Sequence, residues 1–334
     1  MPNRLRSRTR RHRPVRKCPV WKCYSQPINR LMKTESSLLT YFALATAVLF
    51  WGLSFVATKI ALQSFTPFCL IFFRFFAASI FFGMLLWRTG FPPLTGKTLQ
   101  SLLLLTLMQP GLYFLFETTG LQYTSATKTS LIIATIPIVV LVLSALYLKE
   151  RLRLLNTLGI CFSLVGVALL VFGGDVQEAG GMLLGDMLIF GAVLAASIYM
   201  IMTRRLGESL TSLQITGMQI IFGALLFFPA FLWDLPKLHW QAVSSESLIA
   251  LVVLTIFATI VAFLCYNHAL TRIPAAQAAV CINGIPLVTA CGAWMMLGET
   301  LSLMQLAGGA LVLGAVLLAN HTPKNNEINI STST

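Results

Sequence analysis

Ten long apolar segments, separated by short turns rich in glycine and proline, dominate the sequence. A helix needs about 20 apolar residues to cross roughly 30 Å of hydrocarbon, and backbone in lipid must be hydrogen-bonded internally. The pattern therefore predicts an all-α integral membrane protein with ten transmembrane helices. The predicted spans are residues 40–61, 67–87, 99–119, 127–148, 154–173, 183–203, 212–233, 247–269, 276–297 and 302–320.

The composition supports this prediction. Of 334 residues, 57% are hydrophobic and 10% are charged, whereas about a quarter of residues in soluble domains are charged. This excludes a large soluble enzyme, a disordered regulator and a disulfide-rich secreted module. The formal net charge is +13, but residues 1–33 hold eleven Lys or Arg and no acid. The rest of the chain is nearly neutral.

The basic segment 1–33 has no apolar stretch of its own, so it is not a secretory signal peptide. We expect a solvated, disordered cytoplasmic tail or an extension upstream of a start at Met32. Binding of nucleic acid is not expected, because a run of charges is usually only solvated. The polar segment 321–334 is expected to form a second cytoplasmic tail.

Basic residues in the loops predict the orientation, because cytoplasmic loops are enriched in Lys and Arg. With the amino terminus inside, the cytoplasmic side holds Arg88, Lys97, Lys149, Arg151, Arg153, Arg204, Arg205, Arg272 and Lys324. The opposite side holds only Lys59, Lys128 and Lys237. Both termini are therefore predicted to be cytoplasmic.

The chain also repeats itself at an offset of 149 residues. Ile136-Pro137 aligns with Ile285-Pro286, and Glu150-Arg151-Leu152 aligns with Glu299-Thr300-Leu301. Each half, residues 40–173 and 183–320, holds five spans, and an odd number inverts the second half in the membrane. Inverted repeats are typical of alternating-access carriers. Glu150 and Glu299 are expected to cap the fifth or tenth helix.

Short motifs in both halves resemble the EamA-type repeat of the drug/metabolite transporter superfamily. In the first half they are Phe50–Phe55, Phe73–Phe75, Gly120–Ala126, Ile136-Pro137, Glu150–Leu152 and Gly159. In the second half they are Ala269-Leu270, Pro274-Ala275, Ile285–Leu287 and Gly298–Leu301. The resemblance implies a multi-pass carrier of the bacterial inner membrane, commonly an exporter of amino acids, other metabolites or toxic compounds. It does not indicate which solute.

Ionisable and polar residues inside spans are candidate functional groups, because burying them in lipid is costly. Arg74 and Glu117 are predicted to form an ion pair, either a structural clasp or a coupling site. Gln109, Tyr113 and Glu117 share one helix face, next to Pro110. This face predicts a substrate pocket, although such side chains also bond helices together.

Further candidates come from aromatic and helix-bending residues. Trp51, Phe55, Tyr199 and Tyr266 are expected to form pocket walls, and Asn283 is expected to contact the ligand or the backbone. Pro137 and Pro286 fall within the fourth and ninth spans, where a proline removes a helical hydrogen bond and bends the helix.

The expected function is secondary export of a small metabolite, such as an amino acid, by alternating access. The sequence has no metal-ligand cluster, no paired intramembrane carboxylates and no nucleotide-binding loop, so we expect no enzyme activity, no cofactor or metal, and no ATP drive. An importer, a facilitative carrier or a channel stays an open alternative, as do a membrane enzyme and a scaffold. Proton coupling is also left open.

Overall fold

The computed structural model describes residues 26–148, 179–273 and 275–320, together with a few isolated positions between 158 and 169. The part of the chain from Thr40 onward forms one compact unit. Throughout the described residues the secondary structure is helical, with no strand. The predictions for residues 1–25, for most of the fifth span (154–173), for Glu150 and for the tail 321–334 lie outside the described residues.

In the first half, the described residues up to 148 form six helices. They are α1 (Gln26–Ala61), α2 (Pro67–Thr89), α3 (Gly96–Thr106), α4 (Tyr113–Gly120), α5 (Ala126–Ile133) and α6 (Ile136–Leu148), with a π-helical segment at Leu107–Leu112.

The second half continues with seven. They are α7 (Ala179–Leu206), α8 (Ser212–Asp234), α9 (Ser245–Val253), α10 (Ala262–Leu270), α11 (Ala275–Cys281), α12 (Ile285–Leu297) and α13 (Leu303–Asn320). A π-helical segment, Leu254–Val261, joins α9 to α10, and 3₁₀ turns occupy Leu235–Lys237, Trp240–Ala242 and Ile282–Gly284.

Seven of the continuous helical stretches in the described residues are long and apolar enough to cross a membrane. They agree with the predicted spans within a few residues: Leu38–Ala61, Pro67–Thr89, Gly96–Gly120, Ala126–Leu143, Leu183–Leu206, Ser212–Lys237 and Ser245–Leu270. Two shorter apolar helices, Ile282–Leu297 and Leu303–Ala315, correspond to the last two predicted spans. The molecule is therefore an all-helical, multi-pass membrane protein.

Four of the spans are interrupted near their middle. The third and eighth spans contain the π-helical segments, and Gln109 in the first of these is fully extended (φ −147°, ψ 120°). The fourth span breaks between α5 and α6, directly before Pro137, and the ninth breaks between α11 and α12, directly before Pro286. Proline lacks the N–H that would continue the helix, which accounts for breaks at these positions.

Close packing holds the spans of the two halves together. At Gly52 of α1, a Cβ atom would lie 2.6 Å from Val288 Cβ of α12, so only glycine allows this approach. The hydroxyl of Thr289 donates to the Gly52 carbonyl at 2.8 Å. Large apolar side chains such as Trp87, Leu225 and Met295 remain on the outside, where they contact lipid without penalty.

Candidate functional site

One internal cavity lies between the two halves. It is lined by α1, α2, the third span, both sides of the break in the fourth span, and the sixth, eighth and ninth spans. The space open to the centres of water molecules is about 30 Å³, room for two or three waters. The cavity is therefore narrow in this conformation.

Most of the residues that the sequence singled out lie around this cavity. Its lining includes Trp51, Phe55, Arg74, Gln109, Tyr113, Glu117, Tyr199 and Tyr266. Asn283 is different: its neighbours Ile282 and Ile285 line the cavity, but Asn283 does not. Both polar atoms of its side-chain amide are buried without a hydrogen-bond partner. The 3₁₀ turn before Pro286 directs the isoleucines, and not the asparagine, to the cavity.

Arg74 is 3% exposed and is bound to the second half. Its Nε donates to Thr259 Oγ1 at 2.5 Å, and that hydroxyl donates to the Leu254 carbonyl at 2.9 Å. The carbonyl is available because the π-helical segment shifts the backbone hydrogen bonding around it. The guanidinium carbon also lies 4.7 Å from the centre of the Phe114 ring, a distance typical of a cation–π contact.

Glu117 lines the same cavity and is 2% exposed. Its Oε2 accepts a hydrogen bond from Thr118 Oγ1 at 2.9 Å. The ion pair between Arg74 and Glu117 that the sequence predicted is not formed: the ion pairs found among the described residues join Lys128 to Asp186 and Lys237 to Asp234. Each of the two charged side chains is instead hydrogen-bonded to a threonine, Arg74 to Thr259 and Glu117 to Thr118.

Aromatic rings form one wall of the cavity. The indole of Trp51 lies 4.7 Å from the Tyr266 ring and 5.5 Å from the Phe263 ring, measured between centroids. Its Nε1 donates to the Ala258 carbonyl at 3.1 Å. Trp51 belongs to the first half and its three partners to the second, so this wall is continuous across the two halves.

A buried polar network, which sequence reasoning missed, adjoins this wall. Asn267 accepts a hydrogen bond from the Tyr199 hydroxyl and donates to Thr216 Oγ1 at 2.9 Å and Gln219 Oε1 at 3.1 Å. Gln219 Nε2 in turn donates to the Gln109 carbonyl at 2.7 Å. Polar residues within apolar spans were the available signal, but the sequence could not show which helices are neighbours.

A second polar cluster lies where α5 and α7 begin, which we call the outer end because the sequence predicts that this side is extracytoplasmic. Lys128 Nζ lies 2.6 Å from Asp186 Oδ2, and Thr124 Oγ1 donates to Asp186 Oδ1 at 3.1 Å. Lys128 was expected near a loop on the extracytoplasmic side, and no role was predicted for Asp186. Both are buried.

Glu299 completes the cluster at the outer end. It accepts hydrogen bonds from the backbone N–H groups of Ala126 and Thr127 at 2.9 and 3.0 Å, and from the Thr127 hydroxyl at 2.8 Å. Gly298 is left-handed (φ 66°) and ends α12, which turns the chain towards α5. Glu299 therefore caps α5, the fourth span, and not the tenth helix as expected.

Comparison with known proteins decides the family. The model of the EamA-like transporter family matches twice, at residues 38–172 and 183–321. The chain belongs to this family. As an EamA-like transporter it is a membrane transport protein and not an enzyme, and the resemblance noted in the sequence is confirmed. In the described residues, no group of three or more His, Cys, Asp or Glu could hold a metal ion.

Similar proteins are found in bacteria, archaea and plants. The "Uncharacterized transporter YetK" of Bacillus subtilis is 27% identical, covering 83% of this chain and 86% of its own. An "Uncharacterized transporter" of Archaeoglobus fulgidus is 27% identical, covering 82% and 95%. A chloroplastic "WAT1-related protein" of Arabidopsis thaliana is 26% identical, covering 88% and 72%.

A crystal structure of another protein has the same fold. It superposes with a TM-score of 0.62 over 86% of this chain and 96% of that chain, at 19% sequence identity. This likeness concerns the fold alone. The cavity and its charged residues must therefore be interpreted from this chain's own geometry.

Proposed function

We propose that this EamA-like transporter is a secondary carrier that exports small zwitterionic metabolites, such as amino acids, by alternating access. One observation carries the proposal: the cavity between the two halves is lined by a buried guanidinium, Arg74, and a buried carboxylate, Glu117, that form no direct ion pair with each other. Buried charges are costly, and a ligand that carries both opposite charges and binds between them offsets that cost.

The chemistry of the lining assigns an orientation to the substrate. A guanidinium binds carboxylates with charge-assisted hydrogen bonds, so Arg74 faces the substrate carboxylate. Glu117 faces its ammonium group. Trp51, Tyr199 and Tyr266 favour the same cationic end through their ring faces. The narrow cavity suits a small solute, and a larger side chain requires the halves to separate.

Two inverted five-helix repeats would provide the moving parts. The π-helical segments of the third and eighth spans and the breaks of the fourth and ninth spans recur at nearly the same 149-residue offset. The isoleucines beside the two breaks are matched as well: Ile133 with Ile282, and Ile136 with Ile285, and all four line the cavity. These matches support ten spans arranged around a pseudo-two-fold axis through the cavity.

Contacts between the halves support alternating access from the cytoplasmic side. At the outer end, Lys128 pairs with Asp186, Glu299 caps α5, and the Phe68 N–H donates to Asp234 Oδ2 at 3.2 Å. At the opposite end, Arg204 and Arg272 donate to backbone carbonyls of their own half. At the inner end the halves also touch, since Leu86 of α2 packs against Gly217 of α8. We infer that the polar contacts hold the outer end closed, so that opening towards the inside breaks fewer of them, as in an exporter of the bacterial inner membrane with cytoplasmic termini.

The proposal is tested by efflux from a bacterial host. Cells that express the full chain are loaded with ¹⁴C-labelled amino acids, and the label released into the medium is measured together with growth on toxic amino-acid analogues. We expect faster efflux and higher resistance than in cells with an empty vector, and loss of both in Glu117→Gln. The matched control is Glu208→Gln, an exposed loop carboxylate that should behave like wild type.

Retention of the label despite verified membrane insertion, or faster uptake in place of efflux, would contradict the proposed export. Uptake driven by the gradient of the solute itself would favour the facilitative carrier left open by the sequence. We assign proton coupling to Glu117, because its carboxylate must be ionised to hold an ammonium group.

A further inference from the structure

The polar network beside the cavity has a fixed direction of hydrogen bonding, because both of its ends are backbone carbonyls. Thr216 Oγ1 lies 2.7 Å from the Ser212 carbonyl, and Gln219 Nε2 lies 2.7 Å from the Gln109 carbonyl. A carbonyl oxygen only accepts. The Thr216 hydroxyl must therefore donate to Ser212, and Gln219 must direct its NH₂ group to Gln109.

These two constraints fix the amide of Asn267. The Thr216 oxygen has no proton left to give, so Asn267 must donate to it through Nδ2, at 2.9 Å. Gln219 presents its carbonyl oxygen to the same NH₂ group, at 3.1 Å. Both neighbours thus require the same amide orientation. Asn267 Oδ1 then faces Tyr199, and because that oxygen only accepts, the phenol must donate to it.

Water cannot replace these partners, because Thr216, Gln219 and Asn267 are fully buried and Tyr199 is 1% exposed. The other polar aromatic groups of the wall are engaged as donors too. The Tyr266 hydroxyl lies 3.7 Å from Met200 Sδ, and Trp51 Nε1 donates to Ala258. Towards the cavity these three side chains therefore present their ring faces and no N–H or O–H donor.

We propose that the wall formed by Trp51, Tyr199 and Tyr266 is a subsite for the hydrogen-bond donor of the substrate, its ammonium group, and that Asn267 is the positioning residue that gives the subsite this polarity. Asn267 does not line the cavity. It acts by holding the Tyr199 proton away from the ligand, so that a carboxylate or carbonyl at this wall finds no hydrogen-bond donor and is rejected. The inference rests on the proposed function, since it assigns one end of the zwitterion.

The experiment compares two probes that differ only in the donor. L-Leucine and 4-methylpentanoate, the same acid without the amine, are titrated by calorimetry into the purified full chain in nanodiscs. We expect wild type to bind leucine at least about tenfold more tightly, the loss typical of a missing hydrogen bond to a charged group. In Tyr199→Phe and Asn267→Leu this preference should shrink, through weaker leucine binding, while 4-methylpentanoate binds as before or better.

Thr216→Val distinguishes positioning from damage to the fold. The Gln219 end still orients Asn267 in this variant, so the preference for leucine should persist, whereas Thr216→Val combined with Gln219→Met should abolish it. The control Thr255→Val removes a hydroxyl that donates to the carbonyl four residues earlier, as Thr216 does, but in a groove away from the cavity. It should leave both affinities unchanged.

A measurement without any ligand tests the orientation of the Tyr199 phenol independently of the proposed substrate. In protein with isotope-labelled tyrosine, the infrared difference spectrum between wild type and Tyr199→Phe isolates the Tyr199 phenol. It reports whether this phenol donates or accepts a hydrogen bond. We expect a donating phenol that changes character in Asn267→Leu. An accepting phenol in wild type, or equal discrimination in a folded Asn267→Leu variant, would overturn the inference. If neither probe binds wild type while the phenol is a donor, the zwitterion assignment fails and the polarity of the network stands.

Discussion

The ammonium group of Lys128 lies 2.6 Å from the carboxylate of Asp186, and both side chains are about 98–99% buried (1% and 2% exposed). Lys128 belongs to the first turn of α5 in the first half, and Asp186 to α7 in the second half. The pair therefore joins the two bodies that alternating access would move. Because it lies at the outer end, opening to that side requires the pair to separate or to move as a unit.

Asp186→Asn should destabilise the protein, because it removes the carboxylate charge that lies 2.6 Å from the buried Lys128 ammonium group. Breaking one side of a buried ion pair costs about 3–5 kcal/mol. We expect a Tm lower by several degrees in nanodiscs, measured by intrinsic fluorescence. The double variant Lys128→Met with Asp186→Leu removes both charges and should recover most of the loss.

Lys237→Met is the control for this prediction. Lys237 pairs with Asp234 at 3.2 Å, and its side chain is 50% exposed while that of Asp234 is 5% exposed. Because water reaches the lysine, we expect a smaller loss than for the fully buried pair, near the value of about 1 kcal/mol or less for exposed pairs. If Asp186→Asn and Lys237→Met have the same Tm, the buried pair stabilises the protein no more than the pair of Lys237 and Asp234.

Gly223→Ala should disturb the third span. A Cβ atom at Gly223 of α8 would overlap Pro110 Cγ, beside the extended Gln109. Overpacking of this kind costs about 1–3 kcal/mol, and it should displace Gln109 and Tyr113 from the cavity. We expect a lower Tm and reduced efflux. Gly83→Ala is the matched control, because nothing lies within 4 Å of its added Cβ; if both variants behave alike, the contact with Pro110 is unimportant.

Glu299→Ala should weaken the start of α5. The carboxylate satisfies the N–H groups of Ala126 and Thr127, and losing a cap of this kind costs about 1 kcal/mol, within a range of roughly 0.5–2 kcal/mol. Hydrogen exchange of the α5 amides should accelerate in the variant, most strongly in the first turn. Glu299→Gln keeps an acceptor and should show a smaller effect. If the exchange rates of the α5 amides are unchanged in Glu299→Ala, another group in the loop must accept their hydrogen bonds.

Glu117→Gln should weaken the binding of L-leucine, because a carboxylate attracts an ammonium group through its charge and an amide does not. Calorimetry with L-leucine and 4-methylpentanoate, which lacks the amine, tests this. The variant should bind leucine more weakly than wild type and bind 4-methylpentanoate as wild type does. An equal loss of affinity for both probes would show that Glu117 does not act on the ammonium group.

The sequence predicted the spans and most of the cavity lining, because polar, aromatic and proline residues within apolar segments are conspicuous. Arg74, Glu117 and Tyr199 were singled out in this way. Partners could not be predicted by the same reasoning. Arg74 bonds Thr259 in place of Glu117 because the π-helical segment of the eighth span, which places Thr259, has no signature in the local sequence.

The same limit explains the residues that were missed or misplaced. Lys128 and Asp186 are distant in the chain and meet only because α5 packs against α7. Asn267 is next to Tyr266 in sequence but faces α8, and its role depends on which helices surround it. Asn283 was expected to contact the ligand or the backbone, and its neighbours Ile282 and Ile285 line the cavity while Asn283 does not.

We propose that Arg74 holds the carboxylate of a zwitterionic substrate. The most direct measurement is calorimetric binding of L-leucine and L-leucinamide, which lacks the carboxylate charge, to wild type and to Arg74→Met. Wild type should prefer leucine by at least about tenfold, and Arg74→Met should lose that preference while it binds leucinamide as wild type does. Equal affinities for both probes in wild type, or a preference for leucine that survives in Arg74→Met, would contradict the account.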